Sequence, residues 1–540
     1  MSDISNEIRI FGPPGTGKTT TLSGLIGEAC RNVGSDAVLV SSFTRTAAKE
    51  LVQRDLPLND DRIGTLHALC YRSLDRPKLV SKEHLKEWNQ EHPHMRMGGV
   101  TVNPDDPYAD FDGGSDAQGD ALLQDYNRMK GLQLPEDGWP LSVQSFAEAW
   151  RDFKNQTFTV DFTDLIEQCL VERLEIPHGA RVFFLDEVQD FSPLELSLAR
   201  HWGSTCETFY MAGDDDQCLY SFKGATPDAF LFPELPADQV RVLEQSYRVP
   251  RAVHAAAINW VEGIGVRKDK QYRPRDFDGS VETLPVNYKY IDPLLGQIEE
   301  WLDAGKSIAF LASCSYMIDP LKHKLRSWGL PFHNPYRKSR GDWNPLSARA
   351  GAVSASARVL SYRKVKDRQQ WWTNEELWHW AASLEAEGVF SRGSKTAIRR
   401  LAEDEQTSRL PARPEDLEAW FSDPTAGESA TTGDVGWLRS HLLSAYEKPM
   451  NYACAVLDAR GTDALVKAPR IMIGTIHSFK GAEADMVVLF PDLSISGFSE
   501  WTTPGEPQDS IRRMFYVGMT RAREALYWAQ PIGMSIGGYL

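Results

Sequence analysis

At 540 residues, 42% hydrophobic and 25% charged, the chain has an ordinary globular composition and is too long for a single core. It shows no apolar stretch long enough for a bilayer and no N-terminal leader pattern, and its seven scattered cysteines lack CxxC pairs or histidines at ligand spacing. These features exclude a membrane span, a disulfide frame and a zinc site, and they predict reduced thiols in a cytoplasmic protein. The net charge of −16 argues mildly against a nucleic-acid partner, although a locally basic channel can sit in an acidic protein.

Residues 7–11, EIRIF, predict a short buried strand running directly into GPPGTGKTT, Gly12 to Thr20. This satisfies G-x-x-x-x-G-K-[ST] in the strand–loop–helix context that the motif demands. Gly15 and Gly17 let the backbone curl so that its N–H groups converge on phosphate oxygens at a helix N-terminus. The candidate nucleotide cradle is Gly12, Pro13, Pro14, Gly15, Thr16, Gly17, Lys18, Thr19 and Thr20. Lys18 would reach the β- and γ-phosphates, and the Thr19 hydroxyl would bind Mg²⁺. The signal is strong for ATP or another nucleoside triphosphate and silent on what it drives.

Asn103 to Asp120, acidic, Gly-rich and poor in large aliphatics, reads as a mobile loop. Residues 182–187, VFFLDE, fit a central strand of a parallel sheet covered on both faces, ending in two acids. Asp186 would hold the metal, and Glu187 would orient and deprotonate the attacking water. A plain strand followed by a loop has the same local pattern. Further on, YRKSRGDWNP (Tyr336 to Pro345) reads as an exit into another region. Helical periodicity recurs between Trp371 and Leu401, where Trp371, Trp372, Trp378 and Trp380 form either a DNA-facing patch or, the better reading, the core of a small helical domain.

LDEVQD (Leu185 to Asp190), GDDDQCLYSFKGA (Gly213 to Ala225), LEQSYR (Leu243 to Arg248), GTIHSFKGAEAD (Gly474 to Asp485) and YVGMTRA (Tyr516 to Ala522) follow the P-loop in that order. Together they resemble motifs II to VI of the UvrD/Rep/PcrA-like helicases of superfamily 1. SSFTRTAAKEL (Ser41 to Leu51), GTLHALC (Gly64 to Cys70) and DFTDLI (Asp161 to Ile166) resemble that family's intermediate motifs, and AFLASCSY (Ala309 to Tyr316) matches its motif IV loosely. The resemblance implies an α/β protein with two recA-like P-loop domains, parallel sheets flanked by helices, and two inserted, mainly helical subdomains. Domain 1A would combine residues 1–70 and 160–243, with 1B over 71–159; domain 2A would combine 244–340 and 465–540, with 2B over 341–464.

The resemblance also implies roles. Gln217 is similar to the residue that senses the γ-phosphate and contacts the attacking water. Arg248 and Arg521 resemble arginine fingers carried by the second recA-like domain, where a planar guanidinium spreads charge onto transferring phosphoryl oxygens. Surface ion pairing is the bland alternative for both. Tyr247 resembles the aromatic that stacks on adenine, and Glu483 the acid near the ribose. Phe43, Thr65, His67, Tyr220, Phe222, Lys223 and His477 sit where strand-contacting residues sit, with Tyr220 the one most readily explained as packing. Two departures stand out. None of the eleven residues before Gly12 is Gln, so the family's adenine-recognising Gln motif is not matched and weaker base selectivity is expected. Lys223 stands where relatives usually have Arg, which keeps charge and loses bidentate geometry.

The expected activity is an ATP- and Mg²⁺-dependent motor moving 3′ to 5′ on single-stranded DNA and opening single/double-strand junctions, as a monomer or loose oligomer. A translocase that displaces bound proteins with little unwinding shares this chemistry. A nucleotide-switched DNA-binding protein does not need Glu187, Gln217, Arg248 and Arg521 all in place, and their presence argues against it.

Overall fold

Strands that are apolar on successive residues need cover on both faces, and the first half of the chain supplies it. The computed structural model describes residues 6–43, 57–98, 118–337, 341–348, 351–412 and 414–537. Six strands, β1 (Glu7–Phe11), β2 (Val38–Ser42), β3 (Ile63–Gly64), β4 (Val182–Asp186), β5 (Thr208–Gly213) and β6 (Val240–Val242), form one sheet in the order β3-β2-β4-β5-β1-β6. Every neighbouring pair is parallel.

Alternation along each strand divides its side chains between two cores. Val38, Val40, Val182 and Phe184 pack with Leu22 and Ile26 of the helix Lys18–Val33 on one face. Leu39, Phe183 and Leu185 pack with Leu66, Leu69, Ala199 and Trp202 on the other. The run VFFLD is therefore continuous because both of its faces are buried. Between β3 and β4, the helices Lys82–Glu91, Gln118–Gly131 and Leu141–Thr157 enclose a separate aromatic core of Trp88, Tyr126, Phe146, Trp150 and Phe153.

The chain divides into two compact units, one of Met1–Glu282, Pro491–Tyr527 and Ile532–Leu540, the other of Thr283–Phe490 and Trp528–Pro531. A second sheet has the order β7-β12-β11-β8-β10-β9, with β7 Ser280–Leu284, β8 Ile308–Ala312, β9 Phe332–His333, β10 Ile471–Thr475, β11 Ala484–Leu489 and β12 Ala522–Ala529. The division between the units runs through β7 and β12. Pairing of β8 with β10 and β11, and of β10 with β9, is parallel. The fold is thus α/β with two sheets of parallel strands flanked by helices, as the motif order implied. AFLASCSY supplies the wholly buried strand β8 and the turn after it.

The helices Ala355–Arg368, Asn374–Ala381, Ser394–Glu403 and Ser444–Arg460 occupy the second unit between β9 and β10. Trp372 and Trp380, ring centroids 5.1 Å apart, are core residues there, whereas Trp371 is exposed. Among the described residues no helix is long and apolar enough to cross a membrane. Residues 44–51 of SSFTRTAAKEL, 103–117 of the acidic segment and 338–340 of the exit segment lie outside the described residues.

Candidate functional site

The register of the first sheet sets Phe11 of β1 beside Gly213 of β5, and Asp186 of β4 beside Ala212. The P-loop, the acidic pair and the GDDDQ segment therefore leave the sheet at one edge, the carboxyl ends of its strands. That is where open parallel sheets bind ligands.

Two glycines shape the loop. Gly17, at φ +77, is the N-cap of the helix Lys18–Val33. At Gly15, φ +74, a Cβ would lie 2.4 Å from the Arg248 Cβ and 2.8 Å from the Ser246 Oγ, so the segment carrying Arg248 packs directly on the loop backbone. The Tyr247 N–H donates to the Gly15 carbonyl at 2.8 Å, and its ring is 73% exposed beside the loop. The Pro14 carbonyl accepts from the Ser246 hydroxyl at 2.9 Å and from the Tyr272 hydroxyl at 2.8 Å. Thr16 Oγ1 donates to the Pro13 carbonyl at 2.8 Å, and the Gly12 N–H donates to the Gly213 carbonyl at 2.9 Å.

Lys18 Nζ lies 2.7 Å from Glu187 Oε1 and 3.6 Å from Asp186 Oδ1. Burial lowers the affinity of this amine for its proton, but the Glu187 and Asp186 carboxylates outweigh that and hold its pKa above the ordinary lysine value. Burial pushes the Asp186 carboxyl up to about 6 against the pull of Lys18, with the Glu187 charge adding to the rise. Glu187 occupies the left-handed region at φ 58, ψ 40, uncommon for a residue with a Cβ and a feature that clusters at functional sites. Gln189, fully buried, holds it there: its Nε2 donates to Glu187 Oε2 at 2.5 Å while its Oε1 accepts from the Asp214 N–H at 2.9 Å.

Gln217 Nε2 donates to Asp214 Oδ2 at 2.8 Å, and Gln217 Oε1 accepts from the buried Arg521 guanidinium at 2.8 Å. Arg521 Nε also donates to the Val517 carbonyl at 2.8 Å. Lys18, Glu187, Gln217, Arg248 and Arg521 all belong to the first compact unit, whereas Glu483 and His477 belong to the second. Thr19, in the first turn of the helix after the loop, and Asp186, the last residue of β4, offer hydroxyl and carboxylate oxygens, the hard donor type that Mg²⁺ takes alongside water and phosphate oxygens.

The aromatic candidates form a row. Phe43 and Tyr220 have ring centroids 4.9 Å apart, Tyr220 and Phe222 5.9 Å, and Phe43 meets Phe191 edge-on at 5.4 Å. Tyr220 is 1% exposed and packs, while Phe43 and Phe222 are half-buried. Lys223 Nζ lies 6.0 Å from the Phe222 ring centroid. Thr65 is buried and its hydroxyl caps the helix Leu66–Ser73 by accepting from the Ala68 N–H at 3.2 Å. His67 meets Phe162 edge-on, 3.9 Å from Glu195, and burial together with Lys223 lowers its pKa to about 4, so the ring is neutral near pH 7. His477 is buried beyond β10.

Gln189, Ser246 and Tyr272 escape a reading of sequence alone. Gln189 and Ser246 lie inside quoted motifs as polar residues in buried stretches; Tyr272 has no local signal.

A glycine loop between strand and helix, an acidic pair beside its lysine and a finger-like arginine on a neighbouring glutamine define a P-loop protein of the recA-like class. Residues 1–234 match the family model of the UvrD/REP helicase N-terminal domain, and residues 452–530 that of the UvrD-like helicase C-terminal domain. The chain is 22% identical to DNA helicase II of Escherichia coli over 603 aligned positions, covering 96% of this chain and 82% of that protein. It is 23% identical to ATP-dependent DNA helicase Rep of Buchnera aphidicola, covering 72% and 70%. A putative ATP-dependent DNA helicase, YjcD of Bacillus subtilis, is 22% identical over 53% of this chain and 40% of its own length. The chain belongs to the UvrD-like helicases of superfamily 1.

Proposed function

We propose that the chain is an ATP-driven DNA helicase that hydrolyses ATP on the loop Gly12–Thr20 and moves 3′ to 5′ along single-stranded DNA, opening duplex at junctions. The observation that carries the reading is one connected chain of bonds, Lys18 to Glu187, Glu187 through Gln189 to Asp214, and Asp214 to Gln217 and Arg521, with Phe222 five residues beyond Gln217.

In this reading Lys18 leaves Glu187 for the β- and γ-phosphate oxygens. That frees the Glu187 carboxylate, still held by Gln189, to take a proton from the attacking water. Gln217 orients that water. Arg248 and Arg521 draw charge from the transferring phosphoryl group, and Tyr247 offers its exposed ring to the base. Glu483 is assigned to the ribose by resemblance. Thr19 and Asp186 would hold Mg²⁺, which would supply positive charge against the transferring phosphate. Phe43 and Phe222 would stack on bases whatever their sequence, with Tyr220 packed behind these half-buried rings, and Thr65, His67, Lys223 and His477 are assigned to the strand by resemblance.

Strand displacement measured on 3′-tailed, 5′-tailed and blunt duplexes, with ATP turnover followed in parallel, tests the whole reading. Turnover stimulated by single strands and unwinding confined to 3′-tailed substrates are expected. Unwinding of 5′-tailed duplexes alone would reverse the polarity. DNA-stimulated turnover without strand displacement would favour the protein-displacing translocase, and absence of turnover would refute the motor.

A further inference from the structure

Three consecutive carboxylates, Asp214, Asp215 and Asp216, are buried just beyond β5. Like charges out of water must be paired and hydrogen-bonded. The partners come from a segment outside the motifs quoted above, Arg267 to Tyr272. Lys270, its side chain 2% exposed, places Nζ 2.7 Å from Asp214 Oδ1, 2.5 Å from Asp215 Oδ1 and 2.9 Å from Asp216 Oδ2. Arg267 grips Asp216 with two bonds of 2.9 and 2.7 Å, and the Lys268 N–H donates to Asp215 Oδ2 at 2.7 Å.

Charge balance alone would not care how the Asp214 carboxylate is turned, yet its two oxygens are used for different ends. Oδ1 accepts from Lys270 and Oδ2 from Gln217 Nε2. A carboxylate accepts only, so it selects the NH₂ end of the Gln217 amide and leaves the carbonyl end toward Arg521. The chain Lys270–Asp214–Gln217–Arg521 thus decides which end of the amide faces the arginine. That same end is the acceptor an attacking water needs. Tyr272, two residues beyond Lys270, holds the Pro14 carbonyl of the P-loop. One short segment fixes both the phosphate loop and the glutamine.

We propose that Lys270 and Asp214 are positioning residues that set the orientation of the Gln217 amide and, through it, the rate of ATP hydrolysis. The proposal rests on the ATPase reading above. Each is placed to act through Gln217. Loss of either leaves the P-loop in place and lets the amide turn over. The expected cost falls on kcat, by about ten- to a hundred-fold, the usual loss when the outer partner of a functional group is removed, with KM for ATP little changed.

The test is a double-mutant cycle on the full chain. ATP turnover stimulated by a single-stranded oligonucleotide is measured for Lys270→Met, Asp214→Asn, Gln217→Ala and each of the first two combined with Gln217→Ala, alongside melting temperature. Asp214→Asn keeps volume and leaves Lys270 on its other two acids, so it carries the cycle alone if Lys270→Met does not fold. Each single variant should lose kcat, and in the Gln217→Ala background the second substitution should change kcat by less than about two-fold, because the route is already gone. Losses that multiply in the double variants, or single variants that turn over normally, overturn the positioning role while leaving the ATPase reading intact. Normal turnover in Gln217→Ala itself overturns the assignment of that glutamine and the proposal with it.

Discussion

The carboxylate of Glu187 is pulled in two directions, 2.7 Å from Lys18 Nζ and 2.5 Å from Gln189 Nε2. Only the first of these partners is wanted by an incoming phosphate. Glu187→Gln should therefore bind ATP at least as well as the parent while turnover falls by about two to four powers of ten, the usual worth of a general base. Lys18→Ala should lose affinity as well as rate, since it removes the phosphate contact and strands two acids. Titration with a non-hydrolysed analogue beside steady-state turnover separates the two; full activity in Glu187→Gln would end the assignment. Arg521→Ala should cost about two or more powers of ten in turnover with a much smaller change in ATP affinity, because a finger binds charge that develops during transfer. Arg521→Lys should restore little: the buried guanidinium meets Gln217 and the Val517 carbonyl through different nitrogens, a geometry that an ammonium cannot copy. Near-normal turnover in Arg521→Ala would make the motif match superficial.

At the scale of elements, the turn from β1 into the helix Lys18–Val33 shows how much a spacing of glycines can tell. Gly15 and Gly17 both have positive φ, yet a Cβ at Gly17 meets nothing within 4 Å, whereas one at Gly15 runs into Arg248 and Ser246. Gly17→Ala should cost only the left-handed backbone penalty, about 1–2 kcal/mol. Gly15→Ala adds a backbone-level clash, so its melting temperature should fall clearly further; equal melting temperatures would contradict the packing of the Ser246–Arg248 segment on the loop. This contrast marks the limit of what the chain spells out. The strand-loop-helix at Gly12, the buried strand VFFLD and the acid pair after it are legible because their causes are local: periodicity, turn chemistry and neighbours in sequence. Gln217 beside Arg521 was legible only as two motif positions, since the contact joins residues 304 apart. The Lys270 network, joining acids about fifty residues upstream, leaves no spacing to read, and Tyr272 meets Pro14 across 258 residues. Thr65 shows the converse, a motif residue whose hydroxyl serves its own helix as an N-cap.

For the molecule as a whole a net charge of −16 means that attraction for DNA phosphates cannot come from bulk charge. Stacking is the alternative grip, worth about 1–3 kcal/mol per base and indifferent to sequence. Phe222 is suited to it: half-buried, backed by the fully buried Tyr220 at 5.9 Å, and on the same short segment as Gln217. Phe222→Ala should weaken single-strand affinity only moderately and keep most DNA-stimulated turnover, while strand displacement falls much further. A packing role predicts another pattern, an early melt with every activity lost in parallel. Tyr220→Ala supplies that pattern as a control, because its ring is enclosed by Phe43 and Phe222 and its removal opens a cavity. Melting temperature, turnover and strand displacement measured on both variants decide between the roles. If Phe222→Ala behaves as Tyr220→Ala does, the ring is core and the grip lies elsewhere.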